Sequence, residues 1–334
     1  MEQFITLFIA LIVAAVTYGT PLLFGTLGEI LTEKSGNLNL GVEGILFMGG
    51  AFGLGGVFYY EKIVVSLGGT PNGYVAILVG LLFAFLAGAI ASLIFSFITI
   101  TLRANQNVTG LALSIFGTGV GQFMGEFMRV REGGYVAIGN DLKAFFIASP
   151  FPKALQELPY VGKILFSHSF FFYLAVILAV VLFLYLNKSR SGLYLRAVGE
   201  SPATADAAGL NVTAYKYLST VIGGGISAIG GMVYITTIAG CVWNHEGLSG
   251  VGWLAVALVI FCTWRPLSAI WGSVLFGALM ILYLRLQIPF IPTQLYKILP
   301  YVVTVIVLVV SSLRNNREKQ PPAALGLSYF REER

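Results

Sequence analysis

The sequence predicts an all-α membrane protein: a polytopic bundle of about nine helical segments, one or two of them candidates for broken or re-entrant helices. Of its 334 residues, 57% are hydrophobic and 10% are charged, whereas soluble domains carry roughly a quarter charged residues. The mean hydropathy is +0.85, and apolar runs approaching the roughly 20 residues of a spanning helix follow one another closely. The predicted segments lie near 4–27, 38–60, 74–102, 108–128, 170–186, 215–238, 248–263, 267–286 and 298–313.

Two stretches within these segments, 36–56 and 240–263, are rich in glycine and carry polar residues. Irregular backbone at membrane depth is tolerated only where it is buried or lines a cavity. We therefore expect either stretch to be a candidate for a broken or re-entrant helix. The N-terminus lacks the positive region of a secretory signal, so we expect the first helix to remain in the mature protein.

Basic residues predict the orientation. Nine spans place the two chain ends on opposite sides, and cytoplasmic loops carry an excess of Lys and Arg. We expect a transmembrane domain over 1–313 with a cytoplasmic loop at 188–214, an external loop at 129–169, and a cytoplasmic C-terminal tail at 314–334. This topology places the following basic residues inside: Lys34, Arg103, Lys188, Arg190, Arg196, Lys216, Arg265, Arg314, Arg317 and Lys319.

Small residues recur at a spacing of four in two segments. Such stripes let helix backbones approach closely in lipid, and they fit either static packing or a moving interface. Pro266 is well placed at the start of another packed helix. The stripes are Gly80, Ala84, Gly88, Ser92 and Ser96, and Gly117, Gly121 and Gly125.

Several classes of activity are excluded by missing motifs. The chain has no phosphate-binding loop of the form Gly-x-x-x-x-Gly-Lys-Ser/Thr and no Gly-x-Ser-x-Gly element. Its two histidines are far apart, and Cys241 and Cys262 lie among apolar residues as packing. We expect no catalytic residue, no metal site and no cofactor in this chain. The dispersed basic residues argue against nucleic acid as a partner.

A polar island interrupts the apolar pattern at 196–212, RAVGESPATADAAGLNV. Ser201 suits a helix N-cap, Pro202 the first helical position, and Gly209 the left-handed position after the helix. A short capped helix between spans predicts a surface that is presented to another protein.

Two further polar clusters lie where segments begin. Asn37, Asn39 and Glu43 precede or open the second segment, where they either orient a polar solute or anchor a broken helix; Glu43 also suits a helix cap. Gln106 and Asn107 open the fourth segment, either as a pathway lining or as an interfacial loop with Asn107 as its cap.

Together the stretches 35–44, 196–212 and 262–277 resemble the membrane subunits of bacterial ABC importers in the branched-chain amino acid, ribose and nucleoside permease group. The island is similar to that group's cytoplasmic coupling loop, whose Glu-Ala-Ala then Gly pattern docks on the ATPase; here Asp206 replaces the Glu. The resemblance implies that these residues couple to the ATPase: Gly199, Glu200, Ser201, Pro202, Asp206, Ala207, Ala208 and Gly209.

Within that group, residues 35–44 (SGNLNLGVEG) look like the Gly-x-Ile-Asn-Ile-Gly-x-Glu-Gly pattern of nucleoside permeases that work with basic-membrane-protein lipoproteins. In the corresponding region, sugar permeases instead resemble the pattern Gly-Gly-Ile-Asp-Leu-Ser-Val-Gly. The Trp264-Arg265-Pro266-Leu267 run also fits the nucleoside branch. A sugar or branched-chain amino acid remains the alternative cargo.

The resemblance implies a subunit of a bacterial plasma-membrane importer rather than an enzyme. Its implied partners are an ABC ATPase that binds ATP and magnesium, a second, paralogous permease, a substrate-binding lipoprotein and membrane lipid. An ion-coupled secondary transporter is the alternative from another class; it requires titratable groups near the bilayer midplane and often shows inverted repeats. A membrane scaffold without solute flux is a further alternative.

Overall fold

The computed structural model describes residues 2–134, 136–285, 293–313 and 320–330. In these ranges the chain is helical, and the strand-like pairing is an isolated bridge between Ala137 and Val242. Two π-helical turns, Phe97–Thr101 and Tyr234–Ile238, extend α3 and α11. The α-helices are α1 (Glu2–Glu33), α2 (Val42–Ser66), α3 (Gly73–Ser96), α4 (Gln106–Arg131), α5 (Asn140–Ile147), α6 (Lys153–Gln156), α7 (Val161–Leu165), α8 (Phe170–Lys188), α9 (Arg190–Glu200), α10 (Pro202–Ala207), α11 (Val212–Val233), α12 (His245–Leu248), α13 (Val251–Phe261), α14 (Pro266–Arg285) and α15 (Thr293–Leu313).

The all-α polytopic bundle is confirmed. Six helices in the described ranges are long and apolar enough to cross a membrane, and three shorter apolar helices accompany them. Each of the nine predicted segments coincides with a helix. The shortest is α13, whose 11 residues span roughly 16 Å at 1.5 Å per residue. This helix reaches about half-way through a hydrocarbon core of roughly 30 Å.

The two stretches expected to be irregular behave differently. The 240–263 stretch is divided into α12 and α13, with Gly250 at φ +89° between them. In contrast, α2 runs without interruption from Val42 to Ser66, and the non-helical backbone of the 36–56 stretch is limited to residues before it. Of the two candidates for a broken helix, α12–α13 is therefore the divided one, while the glycines of α2 serve helix packing.

The first helix continues beyond its predicted end near residue 27. It ends at Glu33, and it buries Glu29 and Glu33 with 1% and 2% exposure. Each carboxylate has a donor: the Asn39 N–H for Glu29, at 3.2 Å, and the Trp264 indole N–H for Glu33. Charged side chains are tolerated in the interior when hydrogen bonds replace their lost hydration. The first helix can therefore continue through both acidic residues and end at Glu33.

Small residues let the central helices α2, α3 and α11 approach one another at backbone distance. A side chain on Gly49 would overlap the Ala228 carbonyl group, and one on Gly88 would overlap the backbone of Gly224. The α4 stripe lies on α2, where Gly117 faces the Gly44 backbone. The predicted close approach of the striped helices is confirmed.

The long 129–169 connection contains α5, α6 and α7. It is tied to α2 by a salt bridge between Lys62 and Glu132 (2.5 Å) and by Glu61, which accepts the Gly139 N–H at 3.0 Å. The connection is therefore a structured element that packs against the C-terminal part of α2.

Candidate coupling and pathway sites

The polar island forms the capped helix that its residues predict. The Ser201 hydroxyl accepts the Thr204 N–H at 3.4 Å, and Pro202 occupies the first helical position of α10. At the other end Gly209 has φ +83°, and the Leu210 N–H donates to the Ala205 carbonyl at 3.0 Å. This pattern is a Schellman motif, which requires a left-handed residue after the helix.

The candidate coupling helix, α10, is not isolated between spans. It follows directly on α9, an amphipathic helix that the sequence analysis did not anticipate. Ala205 packs with Val198 and Val212 in a small hydrophobic cluster that includes Tyr329. The helix is therefore seated on the protein by one face, while the adjacent Thr204 and Ala207 stay exposed.

Residues 320–330, called here the C-terminal segment, cover part of this seat. The Tyr329 hydroxyl donates to the Asp206 carboxylate at 2.7 Å. The Ala324 N–H donates to the Gly199 carbonyl at 3.0 Å. Asp206 thus bonds within its own chain. Sequence reasoning missed this segment because nothing in its short, weakly apolar sequence predicts a docked structure.

The same segment also contacts the loop that leads into α2. The Gly326 N–H donates to the Gly36 carbonyl at 3.2 Å, and the Gln106 side-chain amide donates to the Leu327 carbonyl at 3.4 Å. The predicted tail therefore bridges the coupling helix, residues 34–41 and the start of α4. Three of its predicted basic residues lie outside the described residues: Arg314, Arg317 and Lys319.

Asn37 and Asn39 are buried at 0% and 1% exposure. The Asn37 amide donates to the Thr220 hydroxyl at 2.8 Å, and the Asn39 side-chain oxygen accepts the Gly41 N–H at 2.9 Å. One polar atom of each side chain, Asn37 Oδ1 and Asn39 Nδ2, has no hydrogen-bond partner. The asparagines hold residues 36–41 in their non-helical path, and Asn37 also lines a cavity.

Glu43 caps a helix other than its own. Its carboxylate accepts backbone N–H groups from Gly250 (2.6 Å), Gly252 (2.7 Å) and Trp253 (3.3 Å). These groups are the free donors at the start of α13. A carboxylate at a helix N-terminus is stabilised by both the hydrogen bonds and the helix dipole. Glu43 therefore joins α2 to the half-length helix.

Gln106 and Asn107 occupy different environments. The buried Gln106 side chain accepts the Leu38 N–H at 2.7 Å, so it faces residues 36–41. Asn107 is exposed. The helix cap is Asn105, which accepts the Val108 N–H at 3.1 Å. The alternative of an Asn107 cap is wrong, because α4 begins one residue before it.

Basic residues predicted to share one side gather at this end of the bundle. Lys34, Arg196 and Arg265 line a cavity of about 550 Å³ together with Glu200. Burial lowers the pKa of Lys34, and the Glu200 carboxylate acts against that shift. The coupling loop and residues 34–36 also touch directly, since a side chain on Gly199 would overlap the Lys34 carbonyl.

The structure brings the predicted coupling residues, Asn37, Asn39 and Gln106 to one end of the bundle. Glu43 lies deeper along α2, and Asn107 stands apart on the surface. The described ranges hold no group of three or more His, Cys, Asp or Glu residues suited to a metal. Cys241 and Cys262 are buried free thiols.

A bundle of six long apolar helices with a short capped helix at one end defines a polytopic membrane protein. The chain belongs to the family described as "Branched-chain amino acid transport system / permease component", whose sequence model matches residues 11–308. This match extends from the first helix into α15.

Three relatives cover most of the chain. It is 31% identical to the nucleoside ABC transporter permease protein NupC of Lactococcus lactis, over 87% of this chain and 88% of the relative. It is 32% identical to the guanosine ABC transporter permease protein NupQ of Bacillus subtilis, over 88% and 89%. It is 33% identical, over 96% and 97%, to TsgC13 of Haloferax volcanii, provisionally named a glucose ABC transporter permease protein.

The chain is therefore the membrane subunit of an ABC transporter, a transport component and not an enzyme. An ABC ATPase and a substrate-binding partner are implied by this family membership. The alternative of an ion-coupled secondary transporter is not favoured by these matches.

Proposed function

We propose that this permease subunit imports nucleosides across a bacterial plasma membrane, with its coupling helix and C-terminus in the cytoplasm. The observation that carries the importer assignment is the capped α10 seated at the basic end of a family-matched bundle. Two relatives with nucleoside or guanosine in their names support the cargo. Residues 35–44 support the same cargo by their resemblance to nucleoside permeases.

The transporter we propose contains two permease subunits, this chain and a paralogue, with a lipoprotein receptor outside and an ATPase dimer inside. ATP and magnesium bind to the ATPase. Residues Gly199, Glu200, Ser201, Pro202, Ala207, Ala208 and Gly209 form or support the docking surface. Asp206 supports that surface indirectly: its carboxylate accepts the Tyr329 hydroxyl and so fixes the C-terminal segment on α10.

Motion of the ATPase passes to the bundle by contact. Gly199 lies against the Lys34 carbonyl and the Gly36 N–H, so displacement of the coupling loop pushes residues 34–41. Residues 34–41 are held to the neighbouring helices by two hydrogen bonds. The Asn37 side chain donates to Thr220 of α11, and Gln106 of α4 accepts the Leu38 N–H. The link is a rigid-body coupling between a nucleotide site and the solute pathway.

For the pathway residues we propose distinct roles. Asn37, Asn39 and Gln106 shape the inner mouth. Glu43 positions α13, since both of its oxygens already accept N–H groups. Asn107 is the weakest candidate of the five, because it is exposed and separate from the other four.

Gly209→Val is expected to weaken ATPase docking and ATP-driven uptake. A β-branched residue at φ +83° costs about 1–2 kcal/mol, and the change distorts the end of α10. The measurements are co-purification of the ATPase and initial uptake rate. The matched control is Gly133→Val, since Gly133 has φ +81° and equally open surroundings but lies in the 129–169 connection. Normal docking and uptake in Gly209→Val would refute this role.

The cargo is tested by uptake of labelled guanosine and labelled glucose in cells that express the complete transporter. We expect guanosine uptake that is lost when ATP is depleted and that excess unlabelled nucleosides abolish. Uptake that survives ATP depletion but collapses with a protonophore would contradict an ABC mechanism.

A sugar is the second candidate cargo, favoured by the similarity to the Haloferax volcanii protein over 96% of this chain. Glucose uptake without guanosine uptake in the same cells would establish it and refute the nucleoside assignment.

A further inference from the structure

Lys216 is a buried cation that has no counter-charge among the residues that the structure describes. It lies in the second turn of α11 and is 3% exposed. Among the described residues, no carboxylate forms a salt bridge with its ammonium group. The two side-chain hydrogen bonds that reach Lys216 in these ranges, from Asn37 and Ser219, end on its backbone carbonyl. A buried charge is costly unless it is paired, so this ammonium group requires a partner that the described part of the chain does not supply.

The Lys216 side chain lines a cavity of about 450 Å³. Its walls come from the end of α3, the start of α4, the α10–α11 connection and the C-terminal segment. Asn37, Arg103 and Thr213 also face it. The one carboxylate in the lining, Asp206, accepts the Tyr329 hydroxyl, and the Arg103 guanidinium group stacks on Phe330 at 4.9 Å.

The chemistry of this lining favours a phosphate group. Lysine binds phosphate as a point charge, and the lining includes the first turn of the long helix α11, whose dipole also favours an anion. The Val212 and Ala214 N–H groups of that turn are already bonded, to the Leu210 carbonyl and to the Asn211 side chain. The volume falls in the range of small-molecule sites, about 300–1,000 Å³. It therefore leaves room for an organic group beyond the phosphate.

We propose that the Lys216 cavity binds a small phosphate monoester, with Lys216 as the anchoring residue. A bound anion would contact the coupling-helix connection and the C-terminal segment at once. The identity of the organic group rests on the proposed function: a nucleoside that has been imported and then phosphorylated by a kinase-type reaction becomes a ligand of this class. Binding of the phosphorylated cargo would then be sensed next to the coupling helix, through the α10–α11 connection that lines the cavity.

The test is calorimetric titration of the purified transporter in discs of phosphatidylcholine, a zwitterionic lipid without net charge, so that no anionic lipid competes with the probes. A non-hydrolysable ATP analogue first saturates the ATPase sites. The probes are uridine 5′-monophosphate, inorganic phosphate and uridine. We expect both phosphate probes to bind wild type, and Lys216→Met to weaken their binding about 10- to 100-fold, as loss of a charged hydrogen bond predicts.

Two variants control this experiment. Lys153→Met makes the same change at an exposed lysine and is expected to bind as wild type. Lys216→Arg keeps the charge and is expected to retain most of the affinity. Equal binding by wild type and Lys216→Met, or no phosphate binding by wild type, would overturn the proposal. The titration measures binding without transport. A failure of the nucleoside uptake test would therefore refute the proposed cargo without deciding whether the Lys216 cavity binds phosphate.

Discussion

Glu43→Gln is expected to lower the stability of the permease by about 3 kcal/mol or more, since hydrogen bonds to a charged group contribute roughly 1.5–3 kcal/mol each. The carboxylate accepts three backbone N–H groups at the start of α13. A glutamine has one acceptor oxygen, and its NH₂ group would face N–H donors. The measurement is the midpoint temperature at which the purified protein loses its monodisperse elution.

The control for this change is Glu157→Gln, which removes a charge at an exposed position in the 129–169 connection. We expect its midpoint to match wild type. Uptake separates two roles for Glu43. A stable Glu43→Gln protein that no longer transports would show that the carboxylate acts on the solute rather than on α13. An unchanged midpoint together with unchanged uptake would refute the capping role.

Gly49→Leu is expected to abolish folding, which is the largest effect that we predict. The Cβ atom alone would overlap the Ala228 carbonyl, and this obstacle is backbone that no rotamer change can relieve. Insertion of extra methylenes into a packed core typically costs 1–3 kcal/mol even when side chains can adjust. The measurement is the yield of monodisperse protein after extraction in mild detergent.

Gly119→Leu provides the matched control, because Gly119 is also helical and a Cβ atom added to it would meet no heavy atom within 4 Å. We expect normal yield from it. If Gly49→Leu gave the same yield as Gly119→Leu, the close crossing of α2 and α11 would be refuted.

Local rules predicted α10 well. Ser201, Pro202 and Gly209 each act within a few residues of their own position, so their roles as cap, first residue and left-handed residue follow from sequence alone. The small-residue stripes were equally readable, since a spacing of four places them on one helix face. The sequence did not indicate which helices those stripes would pack against.

Long-range contacts could not be predicted in the same way. Glu43 bonds to residues more than 200 positions later, and no pattern near Glu43 indicates α13. The burial of Glu29 and Glu33 inside the first helix was not predicted, because the end of that segment was placed where its apolar run stops. Their spacing of four places both acids on one helix face.

The sequence by itself determined an all-α polytopic membrane protein with a short capped helix at 202–207, because hydropathy and capping are local properties; its class, a permease, followed from its resemblance to a known family. Only the tertiary structure decided what the buried polar groups do. It assigned Glu43 to the start of α13, placed the C-terminal segment on α10, and left Lys216 without a counter-charge among the described residues. These outcomes depend on which distant atoms meet. In a low-dielectric interior, whether a buried polar group is stabilised depends on the partner that the fold brings to it.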